Sequence, residues 1–392
     1  MEEVVISSAV RTPMGGFQGD LDSFSASELG GKAIQGAMEK AGITRVDEVI
    51  MGNVLGAGQG QAPARQASFA AGLDETVPAT TLNKMCGSGM KAAMIGFDQI
   101  KLGQSQTLAV GGMESMSNAP YLLPKMRKGA RLGHGKVVDH MFLDGLEDAY
   151  EPGRLMGTFA EDCAEKYQFT REAQDEYALT SLENSLSAQK LGAFENEIRA
   201  IEVTDRKGAK SLVLSDEQPQ NARPDKIPYL KPAFKKNGTV TPANSSSISD
   251  GAAALILASK SYSEYQGLPI RARILGHSSY AHAPGLFTTA PLYAVKNLLK
   301  SIDWSIEMVD LWEVNEAFAV VPMAFMQELD ISRKILNVHG GACAIGHPIG
   351  ASGARIMVTL LNALERYGLK RGVAAVCIGG GEGTAIAIER AQ

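Results

Sequence analysis

The chain has 392 residues, of which 45% are hydrophobic and 21% are charged, and its formal net charge is −5. This length exceeds one ordinary hydrophobic core and predicts two or three packed units. The composition excludes a disordered or fibrous protein. Because the net charge supplies no basic field for nucleic acid or an anionic membrane, we expect neither as a partner.

The first residues, MEEVVISSAVRTP, lack the basic stretch and apolar run of a signal peptide, and no apolar run approaches the length of a membrane span. We therefore expect a cytoplasmic protein. The four cysteines are too few for a disulfide framework and lack the spacing of a zinc site. We expect free thiols at Cys86, Cys163, Cys343 and Cys377, and no metal required for the chemistry.

Short β-branched segments alternate with helix-length segments near both ends of the chain. Predicted strands lie at 4–6, 49–54, 107–110, 270–275, 309–314 and 373–378. This alternation predicts an α/β fold with βαβ units around buried sheets. Between residues 118 and 247 the pattern breaks, which predicts an inserted subdomain. Residues 1–117, completed by about 248–268, would form the first half of the protein, and residues 269–392 the second half.

The two halves have similar sequence patterns. LAVGGMES (108–115) and AAVCIGGGEG (374–383) both run from an apolar strand into glycines and a glutamate. A cysteine and glycine loop leads into a helix after Cys86, and a glycine and histidine loop leads into one after His347. This weak internal repeat predicts two similarly folded halves that face each other, with a site built from loops of both.

Two groups of basic residues lie in the insert. They comprise Lys125, Arg127, Lys128, Arg131 and Lys136, and then Arg223, Lys226, Lys231, Lys235 and Lys236. Each group is equally typical of a solvated surface and of a contact with a phosphate-rich ligand or another subunit.

Cys86 lies where a β-branched run gives way to glycines and then to apolar residues at helical spacing. Such a strand-to-helix turn presents backbone N–H groups and the positive end of a helix dipole, both of which favour the thiolate. A lone cysteine in apolar surroundings is also typical of a small core residue. The glycines that follow Cys86 favour the approach of a ligand.

Three further segments carry candidate groups. His347 lies on a glycine-rich loop and could act as a general base, or make one structural hydrogen bond. Cys377 ends a buried strand before three glycines whose N–H groups could face an oxyanion, or it is a core thiol. Asn315 and Glu316 are polar residues at a strand end, where structural and catalytic hydrogen bonds are equally natural.

NKMCGSGM, NEAFA, GGACAIGHPIGASGARI and CIGGGEGTA occur in the order and near the positions of the signature segments of the thiolase family. RTPMGGFQG, TREAQDEYALTS and GTVTPANSSSISDGAAA also resemble thiolase segments, so the resemblance runs from end to end. It implies a five-layered αβαβα fold, with two similar halves that have mixed sheets and an inserted loop domain.

The resemblance also implies residue roles. Cys86 would accept the acyl group, His347 would activate it and later the thiol of coenzyme A, and Cys377 would move the proton at the α-carbon. Asn315 would hold a water that forms one oxyanion hole with His347. The N–H groups of Cys86 and Gly379 would form the other oxyanion hole.

The resemblance places coenzyme A, as substrate and product, against the insert. Ser246 would contact the pantetheine, and Arg223 would contact a phosphate. The residues that would line the tunnel are Met156, Phe234, Phe287, Ala317 and Phe318.

The sequence departs from the commoner biosynthetic thiolases at several positions. Leu155 replaces a histidine, Pro242 a small residue and His339 an asparagine, while Glu382 replaces a small, apolar or amide residue. The segment 223–234 is also short. KIPYLKPAFKKNGTVT and GLFTTAPLYA instead resemble mitochondrial-type acetoacetyl-CoA thiolases, some of which bind potassium, so a potassium ion is a possible ligand. Phe287-Thr288 stands where those enzymes have a Phe-Pro pair that accommodates a 2-methyl branch.

From the resemblance we expect reversible condensation of two acetyl-CoA to acetoacetyl-CoA and coenzyme A, carried out by a homodimer or homotetramer. A thiolase acting on a broader range of 3-ketoacyl-CoA chains is the main alternative. A decarboxylating 3-ketoacyl synthase fits less well because it has a histidine or asparagine where this chain has Cys377. A non-catalytic CoA-binding scaffold would lack a catalytic residue, and a cysteine hydrolase would need neither Cys377 nor coenzyme A.

Overall fold

A computed structural model describes residues 2–205 and 207–391. The strands are β1 Val4–Arg11, β2 Gly15–Gly16, β3 Glu48–Gly52, β4 Ala79–Leu82, β5 Thr107–Ser115, β6 Tyr121–Leu122, β7 Val138–Asp139, β8 Ile201–Thr204, β9 Lys210–Val213, β10 Ser249–Ser259, β11 Ala272–Ala281, β12 Leu311–Val314, β13 Arg371–Ile378 and β14 Glu382–Arg390. The helices are α1 Ala26–Ala41, α2 Pro63–Ala70, α3 Ser88–Lys101, α4 Met156–Tyr167, α5 Arg171–Lys190, α6 Glu217–Asn221, α7 Lys260–Gln266, α8 Ala290–Ser301, α9 Val320–Leu329, α10 Ala342–Ile345 and α11 Ile349–Tyr367.

The large sheet has the strand order β12-β13-β14-β11-β1-β10-β5-β3-β4, and β2 pairs with β10. Outward from its centre, each half begins with two antiparallel pairings; two parallel pairings follow in the first half and one in the second. This confirms the predicted α/β fold with mixed sheets in two similar halves. An antiparallel pairing of β1 with β11, from Val4↔Ile274 to Ile6↔Ala272, joins the two half-sheets, and the sequence did not predict this join.

Helices cover both faces of each half-sheet. Alternate residues of β10 face two different cores: Ala253, Leu255 and Leu257 pack towards α3 and α11, whereas Ala252, Ala254 and Ile256 pack towards α1 and α2. In the second half, Val376 faces the same central core and Ala375 faces α8 and α9. The layers therefore follow the order helix, sheet, helix, sheet, helix, which confirms the αβαβα prediction.

The two central helices approach each other closely at glycines. A Cβ atom on Gly89 of α3 would lie 2.7 Å from the backbone nitrogen of Ala354, and one on Gly353 of α11 would lie 2.5 Å from that of Met90. Side chains at either position would force the helices apart. The helix after His347 begins at Ile349 and not near Ser352 as predicted, because the backbone of Pro348 already accepts the first helical hydrogen bonds.

The segment 118–247 contains α4, α5, α6 and the hairpins β6–β7 and β8–β9. A buried ion-pair network joins it to β1: Arg11 Nε lies 2.6 Å from Glu197 Oε1, and Arg11 Nη1 lies 2.6 Å from Asp216 Oδ1. The domain boundaries remain a prediction. Within the described residues, no helix is both long and apolar enough to cross a membrane.

Candidate active site

Cys86 lies at a sharp turn between β4 and α3. The preceding residue, Met85, has a φ of 48°, a left-handed conformation that is unfavourable for a side chain of this kind. Local hydrogen bonds hold the turn: Met85 N donates to Asn83 Oδ1 at 2.9 Å, and Ser88 Oγ donates to the Met85 carbonyl at 2.6 Å. Cys86 thus lies two residues before Ser88, the first residue of α3.

The Cys86 sulfur lies close to the tip of the β13–β14 hairpin. Burial raises the pKa of Cys86 to about 11, although the N–H groups of Gly379 and of Cys86 itself donate towards the sulfur and oppose that rise. The N–H groups therefore favour the thiolate as expected, but desolvation of the sulfur outweighs them. The thiol needs a base to give up its proton.

His347 is held in one tautomer by Ser352. The Ser352 hydroxyl donates to the Pro348 carbonyl at 2.9 Å, so its oxygen accepts from His347 Nδ1, which lies 2.5 Å away. The proton is thus assigned to Nδ1, and Nε2 is left as an acceptor. Nε2 is buried and has no partner within the described residues. Burial lowers the pKa of His347 to about 3, so the imidazole is neutral and can accept a proton.

The adjacent residues Asn315 and Glu316 have different environments. Glu316 accepts from Tyr177 Oη at 2.9 Å, Ser181 Oγ at 2.7 Å and Asn337 Nδ2 at 2.8 Å, so it is a structural anchor for α5. Asn315 is fully buried, and neither side-chain polar atom has a partner within the described residues. A buried amide without partners is costly, so Asn315 is available for a water or a substrate oxygen.

Cys377 is fully buried at the end of β13. Burial raises the pKa of its thiol well above the ordinary value, and the neighbouring Cys86 sulfur raises it further. The structure therefore brings the two cysteines of the opposing halves together. The other two cysteines, Cys163 and Cys343, are also free thiols.

Backbone hydrogen bonds connect three of the predicted segments. His347 N donates to the Ser247 carbonyl at 3.1 Å and to Ser249 Oγ at 3.3 Å. Ser246 N donates to the Ala317 carbonyl at 3.0 Å. The histidine loop, the serine segment and the residues after Asn315 thus meet at one place.

The predicted coenzyme A contacts divide into two groups. The Phe234 and Phe318 rings lie 6.0 Å apart, and the Phe318 and Phe287 rings 6.4 Å apart, while Met156 packs against the same core. Ser246 is partly exposed beside Ala317. Arg223 lies apart from this apolar group: it is exposed, next to the turn Pro224–Tyr229.

Glu114 is a functional candidate that sequence reasoning missed. Its carboxylate is fully buried and accepts from Asn53 Nδ2 at 2.8 Å and from the backbone nitrogens of Val54, Leu55 and Gly350 at 3.0, 3.1 and 2.9 Å. Gly350 belongs to the first turn of α11, whose N-cap is a proline without a capping side chain. Burial raises the pKa of Glu114 to about 7, and its charge in turn raises the pKa of Cys86.

Ser352 is the other functional candidate that the sequence did not predict. Its role depends on the contact of its hydroxyl, in the first turn of α11, with His347 in the loop before that helix.

No group of three or more histidine, cysteine, aspartate or glutamate side chains in the described residues is arranged to hold a metal ion. The possible potassium ion remains a prediction.

Together, the fold and the site define an α/β protein of two similar halves that brings a cysteine of each half together. Cys86 packs against the apolar cluster that contains Ile349, two residues after the buried His347. The models of the thiolase N-terminal and C-terminal domains match residues 4–261 and 268–390, so the chain belongs to the thiolase family.

Relatives are similar over their whole length. A probable acetyl-CoA acetyltransferase from Dictyostelium discoideum is 49% identical, with 100% of this chain and 94% of the relative covered. An acetyl-CoA acetyltransferase from Pseudomonas aeruginosa is 46% identical over 100% of both chains. The crystal structure of the Bacillus anthracis acetyl-CoA acetyltransferase has a TM-score of 0.96 at 41% identity, covering 100% of this chain and 99% of that one. An Ascaris suum thiolase in complex with coenzyme A has a TM-score of 0.93 at 41% identity over 100% of both chains.

Proposed function

We propose that the protein is an acetyl-CoA C-acetyltransferase that reversibly condenses two acetyl-CoA to acetoacetyl-CoA and coenzyme A. The observation that carries this proposal is the pair of neighbouring thiols, Cys86 and Cys377, one from each half. The chain also supplies a buried histidine, His347, whose Nε2 has no partner within the described residues. Hydrolysis of a thioester needs one nucleophile, whereas carbon–carbon bond formation also needs a group that removes a proton from the second substrate. The full-length similarity to acetyl-CoA acetyltransferases supports the same reaction.

In the first step, Cys86 attacks the thioester carbonyl of acetyl-CoA, and its thiol proton passes to Nε2 of His347. The N–H groups of Cys86 and Gly379 stabilise the oxyanion of the tetrahedral intermediate. When the intermediate collapses, the bond to the sulfur of coenzyme A breaks and that sulfur takes the proton from His347. The products are acetyl-Cys86 and free coenzyme A.

In the second step, the Cys377 thiol passes its proton to His347, which is neutral again, and the resulting thiolate removes a proton from the methyl group of a second acetyl-CoA. The buried environment that raises the pKa of Cys377 makes its thiolate a strong base once formed. Asn315, through a water shared with His347, stabilises the enolate oxygen. The carbanion attacks acetyl-Cys86, the bond to Cys86 breaks, and the Cys86 sulfur takes the proton held by His347. Cys377, which keeps the proton from the methyl group, is again a thiol.

Coenzyme A would lie along the apolar group formed by Met156, Phe234, Phe287, Ala317 and Phe318. Ser246 would contact the pantetheine, and the exposed Arg223 would contact a phosphate. We also propose a cytoplasmic homodimer or homotetramer. Its molar mass in solution, from light scattering, tests the assembly.

Replacing Cys86 with alanine tests the nucleophile. We expect Cys86→Ala to abolish thiolysis of acetoacetyl-CoA and the formation of a covalent acetyl adduct, which intact-protein mass spectrometry measures. Cys163→Ala is the matched control, because it removes a buried thiol from α4 and should leave turnover within about twofold. Turnover in Cys86→Ala at the wild-type rate would show that another group carries the acetyl.

Replacing Cys377 separates the two chemical steps. Cys377→Ala should still form acetyl-Cys86 but should not exchange the methyl protons of acetyl-CoA with deuterated water, as followed by NMR. Exchange at the wild-type rate would exclude Cys377 as the base.

The substrate range is tested by the rate of thiolysis across 3-ketoacyl-CoA chain lengths, measured with and without potassium. A preference for long chains would favour a thiolase that acts on a broader range of 3-ketoacyl-CoA.

A further inference from the structure

Glu382 is a charged residue in an unusual place. It is the first residue of β14 and pairs with Ile378 across the β13–β14 hairpin, whose tip is Gly379–Gly381. The tip carries the Gly379 N–H that donates towards the Cys86 sulfur. The position of this side chain therefore bears directly on the backbone donor of the reaction.

Glu382 forms an ion pair with a residue of the other half. Its Oε2 forms the ion pair with Lys84 Nζ. Lys84 lies two residues before Cys86, and the two residues form an isolated β-bridge. Beside the ion pair, Ile378 packs against Gly87, where a Cβ atom would lie 2.4 Å from Ile378 Cδ1. The turn 83–87 that carries Cys86, here called the nucleophile turn, and the β13–β14 hairpin are thus connected by an apolar contact and by an ion pair.

The hairpin tip needs such a connection. Gly380 and Gly381 have φ values of 93° and 85°, and glycine residues lose more conformational entropy on ordering than any others. Within its own half, the tip is held by the strand pairing and by His282 N, which donates to the Gly381 carbonyl at 2.9 Å. Neither of these contacts sets the distance from Gly379 to the nucleophile turn. An oxyanion donor stabilises a transition state only if it is already in position.

We propose that Lys84 and Glu382 form a clamp that positions the Gly379 N–H at the Cys86 sulfur. Both are positioning residues, since neither touches the reacting atoms. The clamp rests on the proposed function, because its purpose is to complete the oxyanion hole for acetyl transfer. Their side chains are 24% and 34% exposed, and ion pairs of this kind contribute little to stability, so the fold should survive their loss.

Three variants of the purified full-length protein test the clamp: Glu382→Gln, Lys84→Met, and the double variant Lys84→Glu with Glu382→Lys. We expect each single variant to lower kcat for thiolysis of acetoacetyl-CoA about tenfold, less than the hundredfold or more lost with a whole donor. KM for coenzyme A should change less than about twofold, since the donor acts on the transition state. The double variant should restore kcat to within about threefold of the wild type, because it re-forms the pair with the charges exchanged.

Hydrogen exchange provides a readout that does not depend on catalysis. The amides of peptides spanning residues 377–384 should exchange faster in both single variants and return towards the wild-type rate in the double variant. The matched control is Arg271→Gln, which breaks the ion pair of Arg271 with Glu365, whose side chains are 17% and 33% exposed. It should change neither kcat nor exchange at the hairpin.

The proposal is overturned if the single variants keep wild-type kcat and exchange, if the double variant is no better than the single ones, or if Arg271→Gln has the same effect. A wild-type protein that shows no thiolysis would instead overturn the proposed function, and the exchange rates would still decide whether the clamp exists.

Discussion

Replacing Ser352 with alanine would remove the acceptor that holds the proton of His347 on Nδ1. The Ser352 oxygen lies 2.5 Å from Nδ1, and its own proton is directed to the Pro348 carbonyl. Without that oxygen, the N–H on Nδ1 is buried and unpaired in the imidazolium that forms during the reaction, and the neutral ring also populates the tautomer with its proton on Nε2. In that tautomer, Nε2 cannot accept the thiol proton of Cys86.

The size of the effect follows from the cost of the unpaired donor. Leaving a buried N–H unsatisfied costs about 1–3 kcal/mol, and about 1.36 kcal/mol corresponds to a tenfold change in rate. We therefore expect Ser352→Ala to lower kcat/KM for thiolysis by roughly 5- to 160-fold. The assay is the initial rate of acetoacetyl-CoA cleavage at saturating and limiting coenzyme A.

The control for this prediction lies on the same helix. Thr359 Oγ1 donates to Glu197 Oε1 at 3.1 Å, so Thr359→Ala also deletes a buried hydroxyl from α11, but two turns further from His347. It should lower the melting temperature while leaving kcat/KM within about twofold. If Ser352→Ala retained wild-type kcat/KM, or if Thr359→Ala lost as much, the assignment of the His347 tautomer would be refuted.

Three further changes have expected outcomes. A Cβ atom in Gly157→Ala would lie 2.3 Å from the Phe234 ring and would displace it. This variant should raise KM for coenzyme A several-fold and affect kcat less. An unchanged KM in steady-state kinetics would contradict the prediction. Glu114→Gln replaces one carboxylate oxygen by an NH2 group that faces two of the four donors, so it should destabilise the fold by about 1–3 kcal/mol, as measured by urea unfolding. An unchanged midpoint would remove Glu114 as an anchor. Burial lowers the pKa of His339 to about 4, so below pH 6.5 the unfolded chain binds a proton that the folded one does not. Stability should fall as the pH drops from about 6.5 to 4, by up to about 3 kcal/mol from this residue, and the fall should be smaller in His339→Gln.

Much of the fold could be predicted from local patterns. The strands near residues 4, 49, 107, 309 and 373 were predicted from β-branched segments, because buried strands are short apolar runs between turns. The internal similarity of 108–115 and 374–383 predicted two like halves. The pairing of β1 with β11 could not be predicted, since it joins segments about 270 residues apart and follows from neither local pattern.

The candidate site shows where sequence reasoning stops. The donors around Cys86 could be predicted from its glycine-rich turn, but its burial depends on the packing of distant segments, and burial decides the direction of its pKa shift. Asn315 and Glu316 are adjacent and looked equivalent. Successive side chains at a strand end point to opposite sides, which sends Glu316 towards α5 and leaves Asn315 without a partner in the described residues.

The equivalent positions of Cys86 and His347 bear on the origin of this architecture. Each residue lies two positions before a central helix, in halves whose four inner strands follow the same order from the centre of the sheet. Two separate copies of one half-length chain would place the same amino acid at both positions, giving two cysteines or two histidines. Joining the copies in one gene lets each position mutate alone, so that a nucleophile can face its base. A covalent link between the halves thus lets a nearly symmetric scaffold carry different side chains at its two equivalent positions.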